Sequence, residues 1–132
     1  MSIAAYKATI RESENARQIE RRILSRVTGE LERRAGDFDT TDSRSEKVSI
    51  LASGLRECLI ENQTFWQALK HSLASEGNQL PDELRAKLLS MCIWVETQTN
   101  AVLGGQPGVD ALVAVNQCIV QGLGGTPPGP RR

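Results

Sequence analysis

This chain has few of the residues that carry out chemistry or anchor a large core. Its 132 residues include one histidine, three cysteines, two tryptophans, two phenylalanines and one tyrosine. Catalytic sites need several titratable groups that converge, and metal sites need ligands at short spacing. A Gly-rich phosphate loop is also absent. We therefore expect no enzyme, no cofactor and no bound metal.

The charge balance and the apolar runs exclude further classes of protein. Sixteen basic and sixteen acidic residues give a formal net charge of zero, whereas nonspecific nucleic-acid binding needs a basic excess. The longest apolar runs are five residues, 91–95 and 111–115, and a membrane-spanning helix needs about 20. The N-terminus lacks the features of a secretory signal. We expect a cytoplasmic protein without a membrane partner.

The pattern of cysteines is typical of a protein in the reducing cytoplasm. Cys58, Cys92 and Cys118 lie among apolar neighbours, and none belongs to a Cys-x-x-Cys pair. Free cysteine is among the residue types most often buried, and disulfides are rare in reducing compartments. The sequence therefore predicts three buried, reduced thiols.

Charge is distributed unevenly along the chain. Residues 1–47 hold ten of the basic and nine of the acidic side chains, whereas Glu96 and Asp110 are the only charges between Leu88 and Pro130. We expect one domain over 1–123, with charged N-terminal helices in 1–35, a loop in 36–43 and an apolar helical core in 44–123. The Gly- and Pro-rich residues 124–132 are predicted to form a disordered tail.

Apolar residues recur at helical spacing, and no segment alternates as a strand would. The predicted fold is an all-α antiparallel bundle of about five helices. Ile3, Tyr6 and Ile10 outline a short first helix; Asn15 is expected to cap a second, which Gly36 ends. The fourth helix follows Pro81, and the fifth runs from Val109 to Gly122.

The third predicted helix is the longest. Ser43 and Glu46 have the spacing of a capping box. An apolar stripe then continues to about Ala74, which corresponds to a helix of about 45 Å at 1.5 Å per residue. Gly54 lies inside this segment and is expected to mark a bend or a close contact.

Several residues on the apolar stripes are candidates for partner binding. Asn62 and Asn116 interrupt the stripes and need hydrogen bonds if buried. They either bond to backbone or to each other across helices, or line a groove that receives a partner. Tryptophans 66 and 94 are either core residues or binding anchors. The candidate groove consists of Asn62, Phe65, Trp66, Leu69, Met91, Trp94, Val95 and Asn116.

An arginine run in the second predicted helix forms a separate candidate face. Arg17, Arg21, Arg22 and Arg26 are interspersed with glutamates. The simplest interpretation is a solvated face with ion pairs between successive helical turns. The alternative is a recognition face for an acidic partner or an RNA.

The sequence resembles the FlaF family of flagellar biosynthesis regulators over residues 5–123. The strongest stretch is Asn78-Gln-Leu-Pro-Asp-Glu-Leu-Arg-Ala86. The remaining matches are Tyr6, Arg11-Glu12, Arg17, Glu20-Arg21, Thr28, Asn62-Gln-Thr-Phe-Trp66, Ser90, Trp94-Val95, Thr99, Val102-Leu103, Leu112, Asn116 and Gly122-Leu123. Phe65 stands where an aliphatic residue is expected and His71 where an acidic one is expected, and the loop over residues 37–42 differs from the family pattern.

The resemblance implies a protein that binds newly made flagellin as a secretion chaperone and promotes flagellin synthesis or export. It implies a helical terminal segment of flagellin as the partner and an FlbT-like regulator as a possible second partner. Two alternatives stay open: an RNA-binding regulator of flagellin message, and an adaptor whose N-terminal arm docks the regulator. The expected binding surface is an apolar groove built from the last three helices.

Overall fold

A computed structural model describes the backbone of residues 3–123 and the side chains of residues 3–4 and 18–122. Within these residues the protein is all α-helical and has no strand. The helices are α1 (Ile3–Thr40), α2 (Arg44–Ile50), α3 (Arg56–Ala74), α4 (Asp82–Leu103) and α5 (Val109–Leu123), with a π-helical turn (Leu51–Leu55) between α2 and α3. The all-α bundle is confirmed. The predicted tail, 124–132, lies outside the described residues.

Helix α1 differs from the prediction. The two helices expected in residues 3–36 are one continuous helix, which passes through Gly36 and into the expected loop. Residues 11–14 contain no Pro or Gly that would break a helix. Because extending an existing helix costs less free energy than starting a new one, the helix continues through them. At the other end, Phe38 is fully buried, and its packing offsets the roughly 1 kcal/mol that glycine costs inside a helix.

The long third helix is present as one rod made of α2, the π-helical turn and α3. The Ser43 hydroxyl accepts a hydrogen bond from the Glu46 backbone N–H at 3.2 Å, as the predicted cap requires. Gly54 adopts φ +134°, a region that side chains other than glycine rarely adopt. A Cβ at this position would lie 2.7 Å from the Arg34 guanidinium. Both expectations for Gly54, a bend and a close contact, are confirmed. Because α1 is one helix where two were expected, the described chain forms four rods rather than about five helices.

The rods pack as two pairs. Helix α5 lies mainly against α1, and α4 lies mainly against α3, while α1 also contacts α3. Burial of apolar side chains between the pairs supplies the main stabilisation of the bundle. The largest fully buried side chains are Trp66, Phe38, Leu24, Leu31, Leu55, Leu59, Leu73, Leu112, Val27, Val95, Val102 and Val109.

One end of the bundle is closed by hydrogen bonds between helices. Asp39, near the end of α1, accepts hydrogen bonds from the backbone N–H groups of Gly108, Val109 and Asp110 at 2.9–3.0 Å. A carboxylate from another helix thus caps the first turn of α5, where orphan N–H groups and the helix dipole favour negative charge. The Lys47 ammonium donates to the Gly105 carbonyl at 2.7 Å. We call this the closed end, and it comprises Phe38, Asp39, Lys47, Leu51, Val102, Gly105 and Val109.

Candidate functional site

A polar cluster lies in the middle of the core, where the sequence analysis placed two amides on apolar stripes. The Trp66 indole donates to Asn116 Oδ1 at 2.9 Å. Asn116 Nδ2 then donates to Asn62 Oδ1 at 2.7 Å. Both amides have no exposed surface. The structure therefore places them between α3 and α5, bonded to each other across the helices rather than lining a groove.

The orientation of both amides follows from the chemistry of the indole. An indole N–H can only donate, so Asn116 must present its oxygen to Trp66 and its Nδ2 to Asn62. Asn62 must then present its own oxygen, which directs its Nδ2 away from the pair. That Nδ2 has no hydrogen-bond partner among the described residues. Reversing either amide would bring two donors or two acceptors together, so this orientation is the one that satisfies the chain.

The other predicted groove residues range from fully buried to exposed. Val95 is fully buried. Phe65, Leu69 and Met91 are half-buried and pack against the core, and the Phe65 ring meets Trp66 edge-on with centroids 6.1 Å apart. Trp94 is 39% exposed. Four of the eight predicted residues, Asn62, Trp66, Val95 and Asn116, are thus core residues, and Trp94 is the one that presents an exposed anchor.

Among the described residues, helix α4 exposes more large apolar side chains than α3 and α5, the two helices it packs against. Leu84, Ile93 and Trp94 are exposed on it, and exposed Leu80 directly precedes it. The helix packs mainly against α3 and to a smaller extent against α5, which leaves its remaining surface without a described neighbour. The helix thus lies at an edge of the bundle. Leu84 and Ile93, which it exposes, were not among the predicted site residues.

Apolar burial also decreases toward one end of the bundle. Leu84 occupies the same helical stripe of α4 as Leu88, Met91, Val95 and Val102. Val95 and Val102 are fully buried and Leu88 and Met91 half-buried, whereas Leu84 is 43% exposed. Half-buried side chains also occur at this level on α3 and α5, although Leu73 of α3 stays buried. We call this the open end, and it comprises Phe65, Leu69, Leu84, Leu88, Met91 and Ile119.

The arginine run is partly paired and partly unpaired. Arg26 forms an ion pair with Glu61 of α3, which raises the pKa of the Arg26 guanidinium. Hydrogen bonds from Arg34 and Arg33 lower the pKa of Glu30, as expected for pairs on successive turns.

The arginines nearer the N-terminus differ from these. Arg21 and Arg22 are exposed and form no ion pair with a described residue. With Gln18 and Ser25 they line a shallow depression of about 460 Å³. The side chain of Arg17 lies outside the described residues. The unpaired charge of the run is therefore concentrated around Arg21 and Arg22.

The cysteines separate into two environments. Cys58 and Cys92 are buried, and burial raises the pKa of both thiols. Cys118 is exposed on α5, so the prediction that all three thiols are buried is wrong for this residue. It follows Asn116 by two positions on a helix, which turns it away from the core face. Among the described side chains, no group of three His, Cys, Asp or Glu could hold a metal ion.

Comparison with known proteins gives one family. The family described as "Flagellar protein FlaF" matches residues 2–123. No curated protein and no solved structure gave a match. Across residues 3–123, no helix combines the length and the apolar composition needed to cross a membrane.

Proposed function

Because the chain belongs to the FlaF family of flagellar proteins, we propose that it binds newly made flagellin in the cytoplasm as a secretion chaperone. In this role it keeps a helical segment of flagellin from associating before export and thereby promotes flagellin production. The family assignment supports a flagellar role. The chaperone mechanism is our proposal, and it rests on the apolar surface of the bundle.

The observation that carries this proposal is the set of exposed apolar side chains on α4. Leu84, Ile93 and Trp94 lie on one edge helix, and exposed Leu80 directly precedes that helix. Single exposed apolar residues are common on folded proteins, but the consecutive exposed pair Ile93 and Trp94 supports a binding surface on this helix. Tryptophan is enriched among residues that dominate binding energy. An amphipathic partner helix is the simplest ligand for such a surface.

Co-purification with flagellin tests the proposal. The full chain should retain flagellin from a lysate of flagellated cells, and Trp94→Ala should reduce retention by about tenfold, since tryptophan truncation at an interface typically costs 2 kcal/mol or more. Because Trp94 is partly exposed, the variant should keep the thermal unfolding midpoint within a few degrees. Val48→Ala is the matched control, because Val48 is an exposed apolar residue on α2. A folded full chain that retains no flagellin at micromolar concentration would refute the chaperone role.

A further inference from the structure

Helix α1 carries an exposed surface just before the point at which it enters the core. Leu24 is the first buried side chain among the described residues of α1. Shortly before it, Ile19 is 55% exposed and Ile23 is 38% exposed. These two side chains lie one helical turn apart and form one apolar ridge. Arg21 and Arg22 are exposed on the same two turns. We call Ile19, Arg21, Arg22 and Ile23 the α1 surface.

The two arginines of the α1 surface have no partner among the described residues. The other described arginines of α1 form ion pairs with Glu30 or Glu61. Arg21 and Arg22 form neither an ion pair nor a hydrogen bond with any described group, and they line the shallow depression noted above. A guanidinium group has five N–H donors and no acceptor. The polar part of a ligand at this surface must therefore accept hydrogen bonds, and a negative charge on it would complement the arginines.

The α1 surface lies on a different corner of the bundle from the apolar side chains that α4 exposes. Among the described helices, α1 packs against α3 and α5, and α4 packs against the same two helices. Helices α1 and α4 therefore stand at opposite corners. A partner helix that packs on the exposed face of α4 leaves the α1 surface uncovered.

The charge of the α1 surface argues against a second copy of this chain as the occupant. In a symmetric dimer the same patch lies on both sides of the interface. Arg21 and Arg22 would then face the same arginines of the other copy, and like charges brought together at an interface weaken binding. Exposed Glu20 supplies one carboxylate per copy against two unpaired guanidinium groups.

Nucleic acid and membrane match the α1 surface poorly as well. Nucleic-acid affinity comes from many phosphate contacts, and bases stack on aromatic rings, whereas this surface has two unpaired arginines and aliphatic side chains. A helix that binds a membrane surface presents a continuous apolar face, but the long apolar face of α1, which includes Leu24 and Leu31, is buried in the core. A protein segment with carboxylates beside apolar side chains matches both parts of the surface.

We infer that the α1 surface binds an amphipathic helix of a partner protein, separately from the partner of α4, and that this helix carries carboxylates beside its apolar stripe. The stripe packs on Ile19 and Ile23, and the carboxylates accept hydrogen bonds from Arg21 and Arg22. Guanidinium and carboxylate groups pair in a bidentate geometry that fixes orientation as well as adding attraction. A single exposed ion pair contributes little, so the apolar ridge and both arginines act together. The inference goes beyond the proposed function, because it concerns another corner of the bundle and another ligand.

Photo-crosslinking in flagellated cells identifies the occupant. In the full chain, p-benzoylphenylalanine replaces Ile19, and mass spectrometry reads the sequence of the cross-linked segment. We expect a segment of another protein in which Asp or Glu residues flank apolar residues at helical spacing. Ile60 is the matched control position, because it is 56% exposed on α3 and closely follows Arg56 and Glu57, whose charges balance. A probe at position 60 should not capture the same segment.

Binding of a synthetic peptide of the captured segment then measures the contribution of each part of the surface. By fluorescence anisotropy, Arg21→Glu/Arg22→Glu should weaken binding at least about tenfold, and Ile19→Asp should weaken it similarly. Arg44→Glu/Arg56→Glu changes the net charge by the same amount at exposed positions of α2 and α3, and its affinity should stay within about twofold of the unmodified chain. A peptide with Lys in place of its Asp and Glu residues should bind the Arg21→Glu/Arg22→Glu variant better than the unmodified chain. All variants should unfold in the same temperature range, since the substituted side chains are exposed.

Several outcomes would overturn the inference. Among them are cross-links at position 19 to RNA, to lipid or to a second copy of this chain, and the absence of any cross-link specific to that position. Equal weakening by the two double variants would attribute binding to net charge alone and contradict a local surface. Flagellin retention separates this inference from the proposed function: Arg21→Glu/Arg22→Glu should retain flagellin as the unmodified chain does, and a loss of retention would contradict a separate surface. A chain that retains no flagellin but gives the expected cross-link refutes the chaperone role alone.

Discussion

The closed and open ends of this bundle are built from the same helices, but they differ in how completely their inward-facing side chains are buried. At the closed end, Phe38 and Val102 are fully buried, and Asp39 caps the neighbouring helix. At the open end, Leu84 occupies the same stripe of α4 as Val102 but is 43% exposed. The difference predicts that the closed end contributes more to the stability of the bundle than the open end does.

The sequence of α1 follows the same division. Leu24, Leu31 and Phe38 repeat at seven-residue spacing and are all buried. One turn before Leu24 the chain changes to Glu20 and Arg21, which are exposed. Buried positions among the described side chains of α1 therefore begin at Leu24, although Ile19 and Ile23 just before it are apolar and exposed. Burial of a helix position depends on its neighbour as well as on its own pattern.

Phe38→Ala is expected to give the largest loss of stability. Removing a fully buried aromatic ring from the closed end should lower the free energy of unfolding by about 3–5 kcal/mol. Leu84→Ala at the open end is the matched substitution and should cost about 1 kcal/mol or less, since part of that side chain is already in water. Urea unfolding followed by circular dichroism measures both.

The contrast between these two variants tests the division itself. Equal losses of unfolding free energy for Phe38→Ala and Leu84→Ala would show that the two ends contribute equally to stability. The expected order also tests the helix assignment of residues 37–40, because a side chain in a surface loop would tolerate truncation at little cost.

The sequence predicted helices well where residues with special backbone chemistry mark the ends. Pro81 and the Gly104–Gly108 turn bound α4 and α5 close to the expected residues. Gly36 misled the interpretation of α1, because burial of Phe38 and capping by Asp39 outweigh the local cost of glycine. Hydrophobic periodicity alone does not reveal such contacts between distant segments.

The candidate site was less predictable than the fold for a related reason. Periodicity placed Asn62, Trp66 and Asn116 on inward stripes, and their hydrogen bonds confirm one of the two alternatives considered. The same periodicity placed Leu84 on an inward stripe of α4, where it is exposed. Burial of such a position depends on which other helix packs against it, and a stripe on one helix does not record its neighbours.

The next largest loss of stability is expected from a substitution in the polar cluster between the two ends. Asn116→Ala removes both hydrogen bonds and leaves the Trp66 indole and the Asn62 amide buried without partners. We expect a loss of about 3 kcal/mol in the free energy of unfolding. Asn100→Ala, at an exposed position of α4, should change it by less than about 0.5 kcal/mol. An equally small effect at Asn116 would contradict the hydrogen-bonded chain, and indole fluorescence would report the altered environment of Trp66.

Removing the carboxylate with which α1 caps α5 should cost less stability. Asp39→Ala should cost about 1–2 kcal/mol, the usual range for losing a helix N-cap. Asp37→Ala is the matched control, because Asp37 is an exposed carboxylate two residues away on the same helix. Hydrogen exchange should show faster exchange for the amides of Gly108 to Asp110 in the Asp39 variant. Protection that stays unchanged there would indicate that the carboxylate does not hold the start of α5.

Two glycine-to-alanine substitutions should change stability in opposite directions. Gly54→Ala adds a Cβ at φ +134°, 2.7 Å from the Arg34 guanidinium, and should destabilise the protein by about 1 kcal/mol. Gly29→Ala adds a Cβ in the middle of α1 with no heavy atom within 4 Å, and should stabilise it by about 0.5–1 kcal/mol. Thermal unfolding midpoints that move in the same direction would refute this assignment. Opposite shifts would show that the kink beside Arg34 requires glycine for its backbone conformation, whereas Gly29 is a replaceable residue of a regular helix.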